Sequence, residues 1–343
     1  MNCCANCFGD QVIKEHINRN KTKDGVCDYC GTSNAELIEC TELYDYFVPI
    51  IGIYKIISKN ESQNVVKYQL WQIVKRDWPS LFRLCDEKIQ MLLKSILYDY
   101  DNSFFHSLVI PSYRTDEVQE VVWQKFTEEI KNANRFFINS VIDTDLLREL
   151  LSSHARPYRK GKCFYRSRIS SEKKLACSDM GKPPYECATA GRANPKGIPY
   201  LYVSNDRITT LYETRASLLD NVTIATFRLT HDINIIDLKD ENSISPILLE
   251  DSIEKYMSYR NYLLKLGSEL SKPIRKQDNE LDYLPTQYLC EFIKSLGYDG
   301  VEYRSSLNPN GFNLAIFNDT KLKCVSTKLV VVKAIQYEMD ELD

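Results

Sequence analysis

The chain has 343 residues, of which 43% are hydrophobic and 27% charged, and its formal net charge is −3. This length suits two domains, and the composition is that of a folded protein able to bury sizeable cores. Residues 1–155 carry 17 Lys and Arg against 22 Asp and Glu, and residues 156–343 carry 27 against 25. Neither half has the strong positive excess of a nucleic-acid-binding surface, so we do not expect nucleic acid as a partner.

Targeting signals are not evident in the sequence. No apolar run approaches the roughly 20 residues that a membrane-spanning helix needs. The opening Met-Asn-Cys-Cys has neither the basic region nor the apolar region of a secretory signal. We therefore expect a cytoplasmic protein that does not enter a membrane.

The first 40 residues contain six of the 12 cysteines. In a cytoplasmic chain, such crowding indicates metal ligands rather than disulfides. Two CxxC pairs with this separation are typical of a tetrathiolate zinc site, in which four thiolates close the coordination sphere and the metal is structural. We predict a zinc-binding module over residues 1–40. Its ligands are Cys4, Cys7, Cys27 and Cys30.

Alternatives to this ligand set remain open. Cys3 could serve instead of Cys4, and Cys40 or His16 could replace one of the four cysteines. Free thiols or an iron–sulfur cluster would also account for the cysteines. Gly31 directly follows the second CxxC pair, where a glycine allows the backbone turn that such a pair needs.

Residues 41–155 are interpreted as an all-α domain. Asp143 or Thr144 is a suitable N-cap for its last helix. The basic segment 153–162, which contains Pro and Gly, is interpreted as a linker or a domain boundary. Apolar residues at helical spacing predict helices over residues 88–100, 116–137 and 143–152.

Beyond the linker the pattern becomes α+β, with a mixed sheet and helices. An acidic tail, residues 338–343, is expected to fray. Strands are predicted over residues 197–203, 222–229, 233–238, 300–303, 313–317 and 328–335, and helices over 207–219, 244–270 and 285–296.

Several residues with chemical potential lie near the ends of these elements, where sites are usually built. Residues 191–199 form a loop with two Gly and two Pro that carries Arg192, and an Arg fork binds phosphate oxygens well. Tyr202, Glu213 and Ser305 follow on a strand, a helix and a strand end. Taken singly, each also fits a structural role: a solvated Arg, a core Tyr, a surface Glu and a turn Ser.

Together, their order and spacing resemble the RES family, which is named for its Arg, Glu and Ser. The resemblance covers about half the chain. It includes the opening Phe164-Tyr-Arg166-Ser-Arg168, then Gly191-Arg192-x-Asn194-Pro195, Tyr202 and Glu213, and then Thr286-Gln287, Gly297-Tyr-Asp-Gly-Val, Ser305, Asn313 and Ile316-Phe317.

The resemblance implies a fold similar to ADP-ribosyltransferases over residues 160–337. It also implies cleavage of the nicotinamide–ribose bond of NAD+ by phosphorolysis or hydrolysis, with inorganic phosphate as a co-substrate in the first case. Many family members are toxins, so the partners it implies are NAD+, an antitoxin or other regulatory protein, and further copies of the chain.

By the same resemblance, Arg192 would bind phosphate, Glu213 would stabilise the ribose cation, and Ser305 would hydrogen-bond a phosphate or ribose oxygen. NAD+ would further be bound by Tyr202, through stacking, and by Arg166 and Asn194.

Three alternatives stay open. The enzyme could transfer ADP-ribose to a macromolecule. The helical segment resembles HEPN domains, which include ribonucleases, because Arg148-x5-His154 loosely matches their motif. Residues 1–155 could instead be a purely regulatory interaction module.

Overall fold

A computed structural model describes residues 1–57, 66–113, 117–139, 144–239, 244–272 and 279–335. The chain forms two compact units, Met1–Glu117 with Glu241–Asn261, and Val118–Asp240 with Tyr262–Asp343. The boundaries expected near residues 40 and 155 do not coincide with this division. The candidate cap Asp143 and the acidic tail lie outside the described residues.

The first unit combines short sheets with helices. Its elements are β1 (Asn2–Cys4), α1 (Gln11–Arg19), β2 (Lys23–Gly25), β3 (Ala35–Glu39), α2 (Tyr44–Gly52), β4 (Tyr54–Ile56), α3 (Leu70–Asp77), α4 (Asp86–Ile96) and β5 (Val109–Pro111). Strands β1, β3 and β2 form an antiparallel sheet in that order, and β4 pairs with β5. The all-α prediction for residues 41–155 therefore needs correction, because β4 and β5 lie within that range.

Helix α4 shows why the periodicity predicts a helix there. Ile89, Leu92, Leu93 and Ile96 are all buried, which places one apolar stripe of the helix against the core. The helix begins at Asp86, two residues before the predicted start, and ends at Ile96.

Asp77 anchors a buried polar cluster in the first unit. Its carboxylate accepts hydrogen bonds from the hydroxyls of Tyr54 at 3.1 Å and Tyr113 at 2.6 Å, and from Arg76 Nε at 2.6 Å. Burial, followed by the Asp77 charge, raises the pKa of both tyrosines. Arg260 Nη1 donates to the Asp77 carbonyl at 2.8 Å, which ties the later segment of this unit to the earlier one.

Replacing Asp77 with Ala should lower the free energy of unfolding by about 3–5 kcal/mol, because the Arg76 charge and two buried hydroxyls lose their partner. Urea denaturation followed by tyrosine and tryptophan fluorescence measures the change. Asp86→Ala is the matched control, since Asp86 is exposed and its ion pair with Lys75 is worth less than about 1 kcal/mol. Equal losses in the two variants would contradict a structural role for this cluster.

The second unit is built on an eight-stranded mixed sheet. Its strands are β6 (Ala155–Tyr158), β7 (Cys163–Ile169), β8 (Leu201–Ser204), β9 (Asn221–Leu229), β10 (Ile233–Asp237), β11 (Gly300–Arg304), β12 (Phe312–Ile316) and β13 (Leu322–Val331). They lie in the order β13-β9-β7-β8-β12-β11-β10-β6. Strands β10 and β11 are parallel, and the other neighbours are antiparallel. The α+β class is therefore confirmed.

The helices of the second unit are α5 (Glu117–Asn132), α6 (Thr144–Ser153), α7 (Arg207–Glu213) and α9 (Leu284–Ser295), and α8 (Ile253–Ser271) has residues in both units. Asp206 caps α7 by accepting a hydrogen bond from Thr209 N at 2.8 Å. One face of the sheet forms a core around Phe164, Phe227 and Leu314. Among the described residues, no helix is long and apolar enough to span a membrane.

The predicted linker at residues 153–162 is wrong, because β6 lies within it and forms the sheet edge beside β10. Arg156 Nη1 reaches Asp237 at 3.0 Å, and Tyr158 donates to Glu302 at 2.6 Å. Glu302 is fully buried. Arg156, one of the basic residues that indicated a linker, instead pairs with a carboxylate on the adjacent strand β10.

Strand β13 also differs from its prediction, because it begins at Leu322 rather than at residue 328. Lysines interrupt its apolar pattern at exposed positions, which is common on a sheet edge, where charge discourages pairing with other chains. The apolar pattern of β13 is therefore weak. Its pairing with β9 is nevertheless continuous, apart from one register shift between Cys324 and Ser326.

The strand register brings four polar side chains into one row across the sheet. Tyr165 on β7 pairs with Ser204 on β8, Ser204 pairs with Asn313 on β12, and Asn313 pairs with Tyr303 on β11. Directly paired residues point to the same face of a sheet, so these side chains share one surface.

Candidate functional site

A cavity of about 600 Å³ lies on that surface of the second unit. This volume falls within the range of small-molecule sites. Five of the predicted site residues line it, although they come from a strand, a loop, another strand and a helix. They are Arg166, Arg192, Asn194, Tyr202 and Glu213.

Glu213 is the last residue of α7 and is held in one orientation. Its Oε1 accepts hydrogen bonds from Ser305 Oγ at 2.6 Å and from Asn313 Nδ2 at 2.7 Å. Ser204 Oγ donates to Asn313 Oδ1 at 2.6 Å, which fixes the amide so that its NH₂ group faces the carboxylate. Within the part of the chain that the structure describes, no hydrogen bond reaches Oε2, so this oxygen is available at the cavity.

Ser305 is buried and does not line the cavity, although Ser306 and Leu307 beside it do. Its hydroxyl donates to Glu213 and accepts from the backbone N–H groups of Leu307 at 3.2 Å and Asn308 at 3.1 Å. One donor and two acceptor positions are the full capacity of a hydroxyl. The geometry therefore favours a serine that positions Glu213, and the predicted contact with a substrate oxygen stays a prediction.

The loop between β7 and β8 is organised by Asn194. Its Nδ2 donates to the carbonyls of Thr189 at 3.0 Å and Pro195 at 3.1 Å, and its Oδ1 accepts from the Tyr202 hydroxyl at 2.7 Å. Both the NH₂ group and the oxygen of the Asn194 side chain are therefore bonded to other groups of the protein. Gly191 is required beside it, because a Cβ there would lie 2.7 Å from Asn194 Oδ1 and 3.1 Å from the Tyr202 hydroxyl.

Arg192 projects from this loop at a fixed position. Its backbone carbonyl accepts from Thr286 Oγ1 at 2.6 Å, and Gln287 Nε2 on the same helix donates to the Gly191 carbonyl at 2.8 Å. Its guanidinium lies over the Tyr283 ring, 5.0 Å from the centroid. This packing helps to hold the cation at the cavity wall.

Arg166 on β7 contributes a second cation. Its Nη1 donates to the Tyr202 carbonyl at 2.8 Å. Burial, together with the nearby charge of Arg168, lowers the pKa of Arg166 to about 10, so the side chain remains charged at neutral pH. Among the described residues, its buried Nε has no hydrogen-bond partner. A buried donor of this kind calls for an acceptor from a ligand or solvent.

Several residues of the cavity are not among the predicted site residues. The row across the sheet supplies Ser204, Asn313 and Tyr303, and α7 and α8 are each followed by a cation, Arg215 and Lys272. The alternation of a strand could have indicated Ser204, because it lies two residues after Tyr202 on the same face. Nothing in the local sequence marks the two cations.

Arg148, in the middle of α6, and His154, directly after this helix, occupy different environments. Arg148 is exposed and pairs with Asp145 at 3.1 Å. His154 is buried, its Nδ1 lies 3.0 Å from the Leu150 carbonyl, and burial lowers its pKa. A buried imidazole of this kind fits a structural role, so the ribonuclease alternative gains no support from these two residues.

The four predicted zinc ligands lie together in the first unit. The Sγ atoms of Cys4, Cys7, Cys27 and Cys30 all lie within 4.8 Å of one another, with Cys4–Cys30 and Cys7–Cys27 separations of 3.4 Å. Tetrahedral zinc with bonds of about 2.3 Å requires sulfur separations of about 3.8 Å, so the four thiols fit such an ion. The hydrogen bond from Cys7 lowers the pKa of Cys27, which favours the thiolate that a metal binds.

The same geometry decides between the alternative ligands. Cys3 and Cys4 are neighbours on β1 and therefore point to opposite faces of the sheet, so one of them can join the cluster. The other two alternative ligands have partners elsewhere. Cys40 Sγ contacts the Tyr29 hydroxyl at 3.4 Å, and His16 Nδ1 lies 2.9 Å from the Tyr46 hydroxyl. Gly31 has a φ of 72°, which confirms the turn expected after the second CxxC pair.

Comparisons with known proteins bear on the second unit. A family model described as the RES domain matches residues 165–340, just over half of the chain. No curated protein matches. Among solved structures, the chain is similar to one in the crystal structure of the M. tuberculosis MbcT–MbcA toxin–antitoxin complex, with 13% sequence identity and a TM-score of 0.34 over 56% of this chain and 93% of that chain. The extent of the family match places this chain in the RES domain family.

Proposed function

We propose that the cavity binds NAD+ and that the chain cleaves its nicotinamide–ribose bond. The observation that carries this proposal is a single carboxylate, Glu213, which Ser305 and Asn313 hold at the wall of a 600 Å³ cavity. Such a preorganised negative charge is what stabilises a sugar cation as it forms.

The charges of the cavity support a dinucleotide as substrate. Among the described residues that line the cavity, Glu213 is the one acidic residue. The positive charges of the lining cations are complementary to the negative charges of the two phosphates of NAD+. A phosphate oxygen would also provide the acceptor that Arg166 Nε lacks. The lining cations are Arg166, Arg192, Arg215 and Lys272.

The chemistry needs few protein groups. Nicotinamide carries a positive charge in NAD+ and departs neutral, so no general acid is required. Its departure leaves an oxocarbenium-like ribose, as in glycoside hydrolysis. Glu213 Oε2 stabilises this cation, Arg192 binds phosphate, and the ring of Tyr202, whose hydroxyl is bonded to Asn194, is available for stacking. Water or inorganic phosphate completes the reaction at the anomeric carbon.

Incubation with NAD+ in the presence and absence of phosphate, followed by mass spectrometry of the products, tests the proposal. Free nicotinamide with ADP-ribose indicates hydrolysis, and nicotinamide with ADP-ribose 1-phosphate indicates phosphorolysis. ADP-ribose attached to a protein or nucleic acid would instead establish the transferase alternative. Intact NAD+ after prolonged incubation with the folded chain would contradict the proposal.

Ser305→Ala should lower kcat for NAD+ loss by roughly 10–100-fold, because Glu213 loses one of two hydrogen bonds that hold it. KM should change less, since Ser305 does not line the cavity. Ser171→Ala, an exposed serine outside the cavity, is the control. A rise in KM with an unchanged kcat would show that Ser305 contacts the substrate instead.

For the N-terminal cluster we propose that the metal is zinc and that it is structural, because four thiolates leave no coordination position for a substrate. We further propose that the first unit has a regulatory role, as the site of an antitoxin or another protein partner. Purification of the tagged chain with and without its genomic neighbours coexpressed, followed by assays of NAD+ loss, tests this role.

A further inference from the structure

Two cysteines that do not line the cavity lie close together in the second unit. Cys177 opens a 3₁₀ turn, Cys177–Met180, in the connection between β7 and β8. This connection continues through residues 188–199, which supply much of the cavity wall. Cys324 lies on the edge strand β13 at its register shift, and both thiols are partly exposed.

Their sulfurs are close to bonding distance. Cys324 Sγ donates a hydrogen bond to Cys177 Sγ at 2.7 Å. A disulfide joins sulfurs about 2.05 Å apart, so a movement of roughly 0.7 Å would allow the bond. Both side chains are accessible enough for a small reagent to reach them.

The surrounding contacts hold this geometry without help from the sulfurs. Leu175 N donates to Thr223 Oγ1 at 3.1 Å, just before Cys177. Arg168 Nη2 donates to the Gly181 carbonyl at 2.8 Å, just after the turn. Lys182 Nζ pairs with Asp319 at 2.8 Å, which also ties this connection to the segment leading into β13. The pair is therefore preorganised rather than a chance meeting of two mobile thiols.

We propose that Cys177 and Cys324 form a reversible intramolecular disulfide, with a small-molecule disulfide such as oxidised glutathione as the oxidant. A Cys177 thiolate attacks one sulfur of the oxidant and releases one thiol. Cys324 then attacks the mixed disulfide and its proton passes to the second thiol that leaves. Two protein thiols are oxidised, and one small disulfide is reduced to two thiols.

The order of these steps follows from the environment of Cys324. Burial, followed by the hydrogen bond to Cys177, raises its pKa to about 12. The Cys324 thiol also donates its hydrogen bond to Cys177, so Cys324 keeps its proton and the exchange begins at Cys177. In a reducing compartment the bond would be transient, as such bonds usually are there.

The cross-link would join residues separated by 147 positions. Closing so long a loop restricts the unfolded chain strongly. It would also tether the beginning of the cavity-wall connection to the edge of the sheet. The disulfide would form whichever substrate the cavity binds.

The test uses the full chain, treated with oxidised glutathione or with a reducing agent and then alkylated and digested. We expect a cross-linked peptide joining Cys177 and Cys324, two hydrogens lighter than the sum of its parts, and its loss on reduction. The thermal midpoint should rise by several degrees on oxidation. Both effects should disappear in Cys177→Ser and Cys324→Ser.

Cys163→Ser is the matched control, because Cys163 is also partly exposed and its sulfur contacts the Gly161 carbonyl rather than another thiol. It should keep the cross-linked peptide and the thermal shift. Glutathione adducts on Cys177 without the cross-link, or oxidation confined to other cysteines, would overturn the proposal. Because peptides are identified directly, loss of NAD+ cleavage for any reason leaves the result readable.

Discussion

Replacing Glu213 with Gln should lower the rate of NAD+ loss by roughly 10²–10³-fold while the fold stays intact. The amide oxygen of Gln can still accept the hydrogen bonds that Ser305 and Asn313 donate to Oε1. The substitution therefore removes the negative charge with little change in shape. The expected loss follows from the missing stabilisation of the ribose cation, and initial rates of nicotinamide release measure it.

Glu172→Gln is the control for this experiment, because Glu172 is exposed in the same unit and does not line the cavity. Circular dichroism and the thermal midpoint should be the same for both variants and the native chain. A folded Glu213→Gln variant that releases nicotinamide at nearly the native rate would refute the assignment. A reduced rate with an altered thermal midpoint would instead indicate that Glu213 holds the loop that contains Ser305.

Replacing Cys27 with Ser should remove the bound metal and unfold much of the first unit. Cys27 is buried, and all four cluster sulfurs are needed to complete the tetrahedral set. A structural zinc site contributes about 10–16 kcal/mol in zinc-finger peptides, which exceeds the net stability of many whole domains. The zinc content measured by metal analysis should fall from one ion per chain to none, and an early thermal transition should be lost.

Cys85→Ser is the matched control for the metal site, because Cys85 belongs to the same unit but is exposed. It should retain one equivalent of zinc and the native thermal profile. Less than about half an equivalent of zinc in the native chain, with the four cysteines reduced, would disprove the site. If iron were found instead of zinc, the identity of the metal would change and the four cysteine ligands would stay the same.

The division of the chain affects how the N-terminal half should be tested. The first unit includes residues 241–261, and Trp78 stacks on Tyr256 with ring centroids 6.0 Å apart. Deleting residues 1–155 would therefore leave part of a compact unit exposed. Point variants at Asp77 or Cys27, which act inside this unit, are the better probes of regulation.

The sequence by itself determined features that depend on local spacing. Two CxxC pairs predicted four sulfurs that lie within 4.8 Å of one another, because each pair shapes its own tight turn. The order and spacing of Arg192, Tyr202 and Glu213 indicated a common site through their resemblance to the RES family, and all three line the cavity. Helix α4 was likewise readable from its own apolar stripe.

Features that depend on distant pairing could be decided only by the tertiary structure. Strand β6 looks like a basic linker until Asp237 and Glu302 supply its partners from other strands. The contact of Ser305 with a substrate stays a prediction, but only the fold shows that its hydroxyl donates to Glu213, 92 positions away. The cations at Arg215 and Lys272 and the sulfur contact of Cys177 with Cys324 have no local signature for the same reason: their meaning lies in neighbours that only folding brings close.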